Sequence, residues 1–349
     1  MEPIALHRTT IIRPFIEFLT EIGAPVNRTL QQLKLPTLAL SDPDYYISSI
    51  AFWKFVEIIA VKEGIQDLGF LVGREFGVTA IDPNYSQILA QLPTLYQALL
   101  KTCHAVKTET SRSDMLVYST VAGNTHFCHR TSFGIKHPNH SRMELYALMG
   151  MIGIIQEFTG ATWQPKEIGL MSYQKPSLKI RESLANCRFL NGQAYGFVSI
   201  ETSLLSLPPL LQSQGNRDNS KEALMTSQFG GSANDFLGSL KQLLQSYVQE
   251  GAPTIGLAAE MANTSVRSLQ RELAKSKLSY RDLLTQIRYT TAISLLKDSE
   301  LHVQEVAYQL GYQNASHFAR AFRRVAGMSP IEYKQSRNQG KISDSGYSN

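Results

Sequence analysis

The chain has 349 residues, 43% of them hydrophobic and 18% charged, with a formal net charge of +5. That length suffices for two domains with separate cores, and the composition is that of a globular protein rather than a disordered or fibrous one. No run of 18 apolar residues occurs, no basic segment leads into an apolar one at the N-terminus, and the cysteines (Cys103, Cys128, Cys187) are few and scattered. A membrane span, export and a disulfide framework are therefore disfavoured, and a cytoplasmic location is expected.

Thr9–Glu21 places Ile12, Phe15, Ile16 and Leu19 on one helical face and stops at Gly23–Pro25. A short helix over Asn27–Leu33 and a turn at Ser41–Asp44 precede an apolar helix with Phe52, Phe55, Val56 and Ile59, capped by Ser48 or Ser49. Asp67–Gly77 reads as a helix between glycines, and Pro93 opens another through Leu95, Leu99 and Val106. Met115–Val121 and Thr125–Thr131 read as two strands around Ala122–Asn124, a hairpin. Ser141–Phe158 is a strongly apolar helix, followed by a strand at Ile168–Ser172, a helix at Ser177–Ala185 and a strand at Ala194–Ile200. Mixed helices and strands with hairpin connections predict an α+β domain with a modest, largely antiparallel sheet over residues 1–211.

Beyond Leu211 the chain turns polar, so 212–233 reads as a linker and 337–349, rich in Gly, Ser, Asn and Asp, as a disordered tail. Between them, from a first helix at about Asn234–Gln249, lies an all-α domain over 234–336 in which one pattern occurs twice. Thr254–Arg271 and His302–Arg320 each hold a short helix with a small central residue (Ala259, Ala307), a break at Asn263 or Gly311, and a second amphipathic helix ending in Arg. Alanine lets the helices cross closely, Asn or Gly supplies the left-handed turn, and Ser265 or Asn314 can cap the second helix, which is how a helix-turn-helix is made. A long helix over Ser279–Asp298, capped by Ser279 with Asp282 as partner, joins the copies and is long enough to hold two heads one DNA turn apart. Lys and Arg outnumber Asp and Glu 13 to 8 from Thr254 onward and balance 21 to 21 before it. The whole positive excess lies with the repeated motif, as phosphate recognition requires.

Residues 235–336, with their closing segment Gly311–Pro330 and Ile331–Tyr333, resemble the DNA-binding domain of the AraC/XylS transcription regulators. Leu40–Ile47, Leu68–Gly73, Pro93–Leu99 and Phe197–Leu210 are similar to the arabinose-binding type of regulatory domain, a class whose ligands differ widely. The resemblance implies a regulator, expected to be an activator, with a small-molecule effector, a homodimeric form and contacts to RNA polymerase. A carboxylate or fatty acid is the effector class considered, with no cofactor.

On the first reading helix, Leu269 and Leu273 are spaced for the core, leaving Arg267, Gln270 and Arg271 outside. Arg pairs with guanine and Gln with adenine, and by resemblance these positions read bases. On the second, Phe318 and Phe322 face inward and Ala315, Ser316, His317 and Arg320 outward, with Arg323 and Arg324 placed for phosphate. This head is poorer in base-reading groups and is expected to add affinity more than sequence choice.

His126, Cys128, His129, His137 and His140 raise a metal-responsive alternative, although alternation separates His129 from His126 and Cys128 and the spacing fits no zinc motif. A ligand-independent DNA-binding protein whose first domain only oligomerises is the other. No phosphate loop, nucleophile elbow or dinucleotide fingerprint supports an enzyme. For an effector, Trp53, Tyr85, Tyr96, Trp163 and the helix Met143–Met151 are candidate walls, and Arg74 or Lys101 candidate partners for a carboxylate.

Overall fold

The structure, a computed structural model, describes residues 1–80, 84–120, 123–131, 139–211, 233–297 and 301–338. Its contacts fall into two compact units that meet in sequence at Asn234 and Asp235. The first is α+β and the second all-α.

The α+β unit opens with strand β1 (Leu6–Arg8), a 3-10 turn, and helices α1 (Arg13–Glu21) and α2 (Val26–Gln32). Strand β2 (Tyr46–Ser48) pairs antiparallel with β1. Helices α3 (Ser49–Lys62), α4 (Leu68–Phe76), α5 (Tyr85–Leu89) and α6 (Leu95–Glu109) lead to the hairpin β3 (Ser113–Ser119) and β4 (Asn124–Thr131). Then come α7 (His140–Thr159), β5 (Glu167–Gly169), α8 (Leu178–Ser183), β6 (Arg188–Leu190) and β7 (Gly196–Glu201).

Helix α7 is apolar on nearly every side, as a helix buried all round must be. Met143 and Tyr146 join it to a cluster with Phe15, Phe52 and Phe55, while Leu148, Ile152 and Ile155 join it to a second cluster with Leu95, Leu99 and the sheet. Helix α4 lies close against it because Gly69 and Gly73, one turn apart, carry no side chain. A Cβ at Gly69 would fall on the Arg142 carbonyl, and one at Gly73 only 2.7 Å from the Met149 Cβ.

The main sheet runs β3-β4-β7-β5-β6 and is antiparallel except for the β5/β6 pair. Phe127 pairs with Val198, which also pairs with Ile168, and all three enter the core. Side chains alternate along a strand, so His129 follows Phe127 onto that inner face and His126 takes the other.

The all-α unit comprises α9 (Phe236–Gln245), α10 (Ile255–Met261), α11 (Val266–Lys275), α12 (Tyr280–Leu296), α13 (Val303–Gln309), α14 (Ala315–Ala326) and α15 (Pro330–Asn338). Leu240, Leu243 and Leu244 of α9 and Leu283, Ile287 and Leu296 of α12 are buried. Helix α12 is 17 residues long, about 26 Å at 1.5 Å per residue, and starts with the anticipated Ser279–Asp282 capping box.

The structure departs from the sequence reading mainly in the bounds of elements, the strand expected at Ile168–Ser172 for instance spanning Glu167–Gly169. Helix α9 ends at Gln245 rather than Gln249, and α15 runs to Asn338, two residues into the expected tail. Pro93 precedes its helix instead of opening it: Thr94 is the cap and its side chain accepts from the Gln97 N–H. The strands β1, β2 and β6 and the helix α5 lie outside the sequence expectations, three to five residues being too few to display a reliable period. The expected linker and tail fall almost wholly outside the described residues, as does His137.

Candidate nucleic-acid interface and effector cavity

In the all-α unit, α10/α11 and α13/α14 form the two helix-turn-helix units. Ala259 and Ala307 are buried between their helices. Asn263 and Gly311 hold φ of 51° and 73°. At Gly311 the glycine is required twice, by φ and by the Val248 carbonyl oxygen, 3.0 Å from where a Cβ would stand. The Ser265 hydroxyl accepts from the Ser268 N–H at 3.1 Å and Asn314 Oδ1 from the His317 N–H at 2.9 Å, so both second helices are capped by side chains.

The inward faces differ. Leu269 and Leu273 are buried in α11. In α14, Phe322 sits 5.7 Å from the Phe318 ring, 5.3 Å from Tyr289 and 5.7 Å from Tyr333, with Tyr312 5.6 Å from Phe318. The outward faces carry Arg267, Gln270 and Arg271 in α11, and Ser316, His317, Arg320, Arg323 and Arg324 in α14, every one exposed. Ala315 is half-buried, not exposed. Counted from the caps, Arg271 and Arg320 occupy the same position, whereas Arg267 is matched by Ser316. Among the described residues none of Arg267, Arg271, Arg320 and Arg324 is drawn into an ion pair, which leaves these charges available to an outside partner.

The α+β unit holds a partly open cavity of about 110 Å³ between α7, α6, the inner face of the sheet and β1. Its walls are apolar, chiefly Trp53, Met115, Met143, Tyr146, Met151 and Met171. Into them are set His7, His129, His140, Glu109 and Glu144. Glu144 is 4% exposed. Its two oxygens accept from the backbone N–H of Met171 at 2.5 Å and of Ser172 at 3.1 Å, and His140 Nδ1 stands 4.0 Å away. Gly196 makes room for it: a Cβ there would lie 3.1 Å from the carboxyl oxygen. Burial pushes the Glu144 carboxyl up to about 7 against the pull of the two backbone donors.

Burial likewise holds His7 down to about 3 and His129 to about 4, with neighbouring His129 and His140 respectively lowering them further. Both are neutral at physiological pH. His7 Nδ1 is fixed by the Ser49 hydroxyl at 2.6 Å. Glu109 is already matched: Arg8 reaches it at 2.9 Å and Asp44 at 2.8 Å, and the Thr10 hydroxyl donates to it at 2.9 Å.

Comparison with known proteins follows this two-part layout. Residues 258–336 match a helix-turn-helix domain family, and residues 23–209, more than half of the chain, match the arabinose-binding domain of AraC transcription regulators. The chain belongs to the AraC family. Among its relatives, the transcriptional regulator VirS of Mycobacterium tuberculosis is 22% identical over 336 residues, 96% of this chain and 98% of its own. An HTH-type transcriptional regulator of Mycobacterium bovis, Mb1430, is 40% identical over 83 residues, 24% of this chain and 24% of its own, so that likeness spans about a quarter of the relative. Of solved structures, the regulator CdpR from Pseudomonas aeruginosa is 19% identical and covers 89% of this chain and 96% of its own, with a TM-score of 0.37.

In this AraC-family chain, the sequence-derived candidates for the effector site are only partly brought together. Trp53, Met143 and Met151 line the cavity. Tyr85 is buried elsewhere, bonded to the Thr102 hydroxyl at 3.0 Å, Tyr96 is 46% exposed, and Trp163 packs on the core. Arg74 lies over the Phe70 ring at 5.6 Å, and neither it nor Lys101 is in the wall. The cavity's own polar groups, His7, Glu109 and Glu144, give no signal in the sequence: His7 stands on a three-residue strand, and Glu144 reads as the polar edge of a helix. Of the histidines weighed as a metal site, His126 stacks on Phe197 at 4.1 Å on the outer sheet face, while His129 and His140 enter the cavity. Among the described residues no group of three His, Cys, Asp or Glu is placed to hold a metal.

Proposed function

We propose that this AraC-family regulator binds a two-box duplex site through Arg267, Gln270, Arg271, Ser316, His317, Arg320, Arg323 and Arg324, and that a small organic effector in the cavity of the α+β unit controls it. Two helix-turn-helix units, each with a side-chain-capped second helix, on either side of one 17-residue helix carry this reading. Arg267, Gln270 and Arg271 serve base readout; Arg323 and Arg324 neutralise phosphate. The effector acts by binding one arrangement of the protein better than another, since only differential affinity shifts a population. Homodimerisation and activation through RNA polymerase complete the proposal on the strength of the family resemblance.

Selection of bound duplexes from a random pool tests it. The expected product is a site with two boxes about ten base pairs apart, whose binding weakens steeply with salt as counterions are released. A single box, or no enrichment over competitor DNA, refutes the two-headed reading.

A further inference from the structure

The effector cavity has an electrostatic character that narrows its ligand. Among the described residues that line it there is no lysine or arginine, and the nearby guanidinium of Arg8 is engaged by Asp44 and Glu109. Beyond the matched Glu109, what faces the space is one carboxyl group and three imidazoles in a wall of thioethers and aromatic rings. A neutral imidazole offers an acceptor nitrogen, and an ionised carboxylate offers only acceptors. A carboxylate ligand would face an ionised Glu144 with no lysine or arginine among the described lining residues to offset the two like charges. An ammonium would bring three donors and no acceptor to Glu144, whose ionised carboxylate is acceptor-only, and would relieve the cost of ionising that carboxylate among apolar walls.

We propose that this cavity takes a small organic cation, an amine whose ammonium group meets Glu144 and whose carbon body lies against Trp53, Met143, Met151 and Met171. The proposal rests on the reading of the α+β unit as an effector domain. Trp53 presents an indole to which a cation is attracted, and the flexible methionines can close around bodies of different outline. Glu144 is held in place to receive it, because the Met171 and Ser172 backbone N–H groups fix its two oxygens and Gly196 leaves it space. Its carboxyl, raised to about 7 by burial, is an acid that an arriving cation would ionise. A cavity of about 110 Å³ is of the order that takes a single ring, since an engineered apolar cavity of about 150 Å³ binds benzene.

The test uses the full-length protein and two probe series that differ only in head group: benzylamine, benzyl alcohol and benzoate, and the corresponding n-butyl amine, alcohol and acid. Binding is read by calorimetry and by the melting temperature. The amines are expected to bind on the order of tenfold more tightly than the alcohols, and the acids not at all. In Glu144→Gln the amine advantage should vanish while the alcohols still bind, which separates a lost charge from a lost fold. Ala147→Phe, which fills the cavity from α7, should abolish binding of every probe. Preferential binding of the acids, or an amine advantage that survives Glu144→Gln, overturns the cation assignment and leaves the effector reading standing. If no probe of either series binds, and Ala147→Phe leaves DNA affinity in the presence of cell metabolites unchanged, the cation assignment and the effector reading fall together.

Discussion

In the helical unit the charged side chains stand on the outside of helices whose other side is apolar, Arg267 and Arg271 on the same turns as buried Leu269 and Leu273. In the α+β unit the polar groups that matter are inside, Glu144, His7 and His129 walled in by methionine, tryptophan and tyrosine. The first arrangement keeps recognition apart from folding, because an exposed guanidinium contributes little to stability. The second ties them together, because a buried carboxyl alters the folded state whenever it changes charge. Substitutions should therefore separate function from stability in one unit and not in the other.

The sharpest contrast lies within α14. Phe322 is buried among Phe318, Tyr289 and Tyr333, and Phe322→Ala should cost about 3–5 kcal/mol through lost burial and the cavity left behind. Arg324→Ala, two residues away and exposed, should stay within about 0.5 kcal/mol while still weakening DNA binding. Urea denaturation of both variants gives the comparison. Equal losses would mean that the outer face also holds the fold.

A smaller effect distinguishes the two kinds of exposed arginine. Arg267→Ala should cost about 1–3 kcal/mol on the selected site and little on random DNA. Arg323→Ala should lower both alike and reduce the dependence of log K on log salt by about 0.9. Arg271 and Arg320 stand at the same place in their heads, so each should affect one box of the site. Only the first head adds Arg267, where the second has Ser316, so substitutions in the first should relax sequence preference more. Gel-shift titrations over a salt series measure all of these. If Arg267→Ala weakens random and selected DNA equally, its contact is with phosphate.

These differences also decide what the sequence makes legible. A helix-turn-helix is local: alanine, left-handed turn, cap and core spacing lie within some twenty residues, so Ala259, Asn263, Ser265 and Leu269 announce the motif from the sequence alone. The hairpin is legible for a similar reason, two short strand-forming runs around the turn residues Ala122–Asn124. The cavity is not. His7, Glu109, His129 and Glu144 come from four separate elements, and nothing within any one element indicates that the others face it. His129 and His140 stand out in the sequence as part of a local cluster, yet the strand pleat sends His126 outward and the fold supplies His7 instead. Gly196 matters through a neighbour 52 positions away in the chain, which no local pattern encodes.

Glu144 gives the smallest and most specific prediction. Its folded pKa of about 7 exceeds the 4.5 of an unburied glutamate, so between those values the native state holds a proton that the unfolded chain has released, and stability falls as pH rises. His7 and His129 act oppositely: at about 3 and about 4 they are neutral in the fold while unfolded imidazoles near 6.5 still bind protons, so their share of stability rises with pH up to about 6.5. The titratable groups facing the same cavity are Glu109, matched by Arg8, and His140, 4.0 Å from Glu144. From about pH 4.5 to 6.5 two rising contributions oppose one falling one, and above 6.5 the carboxyl alone remains. In Glu144→Gln the falling contribution is gone. The amide also turns an N–H₂ toward one backbone donor, which lowers stability by an amount independent of pH. The stability of the variant measured against the parent should therefore improve with rising pH, by up to about 1.4 kcal/mol per unit, and level off above about pH 7. Most other ionisations cancel in that difference. Parallel curves from about pH 5 to 7 in urea denaturation would show that Glu144 ionises as it does in solution, and that the interior of the α+β unit is as well hydrated as the exposed face of α11.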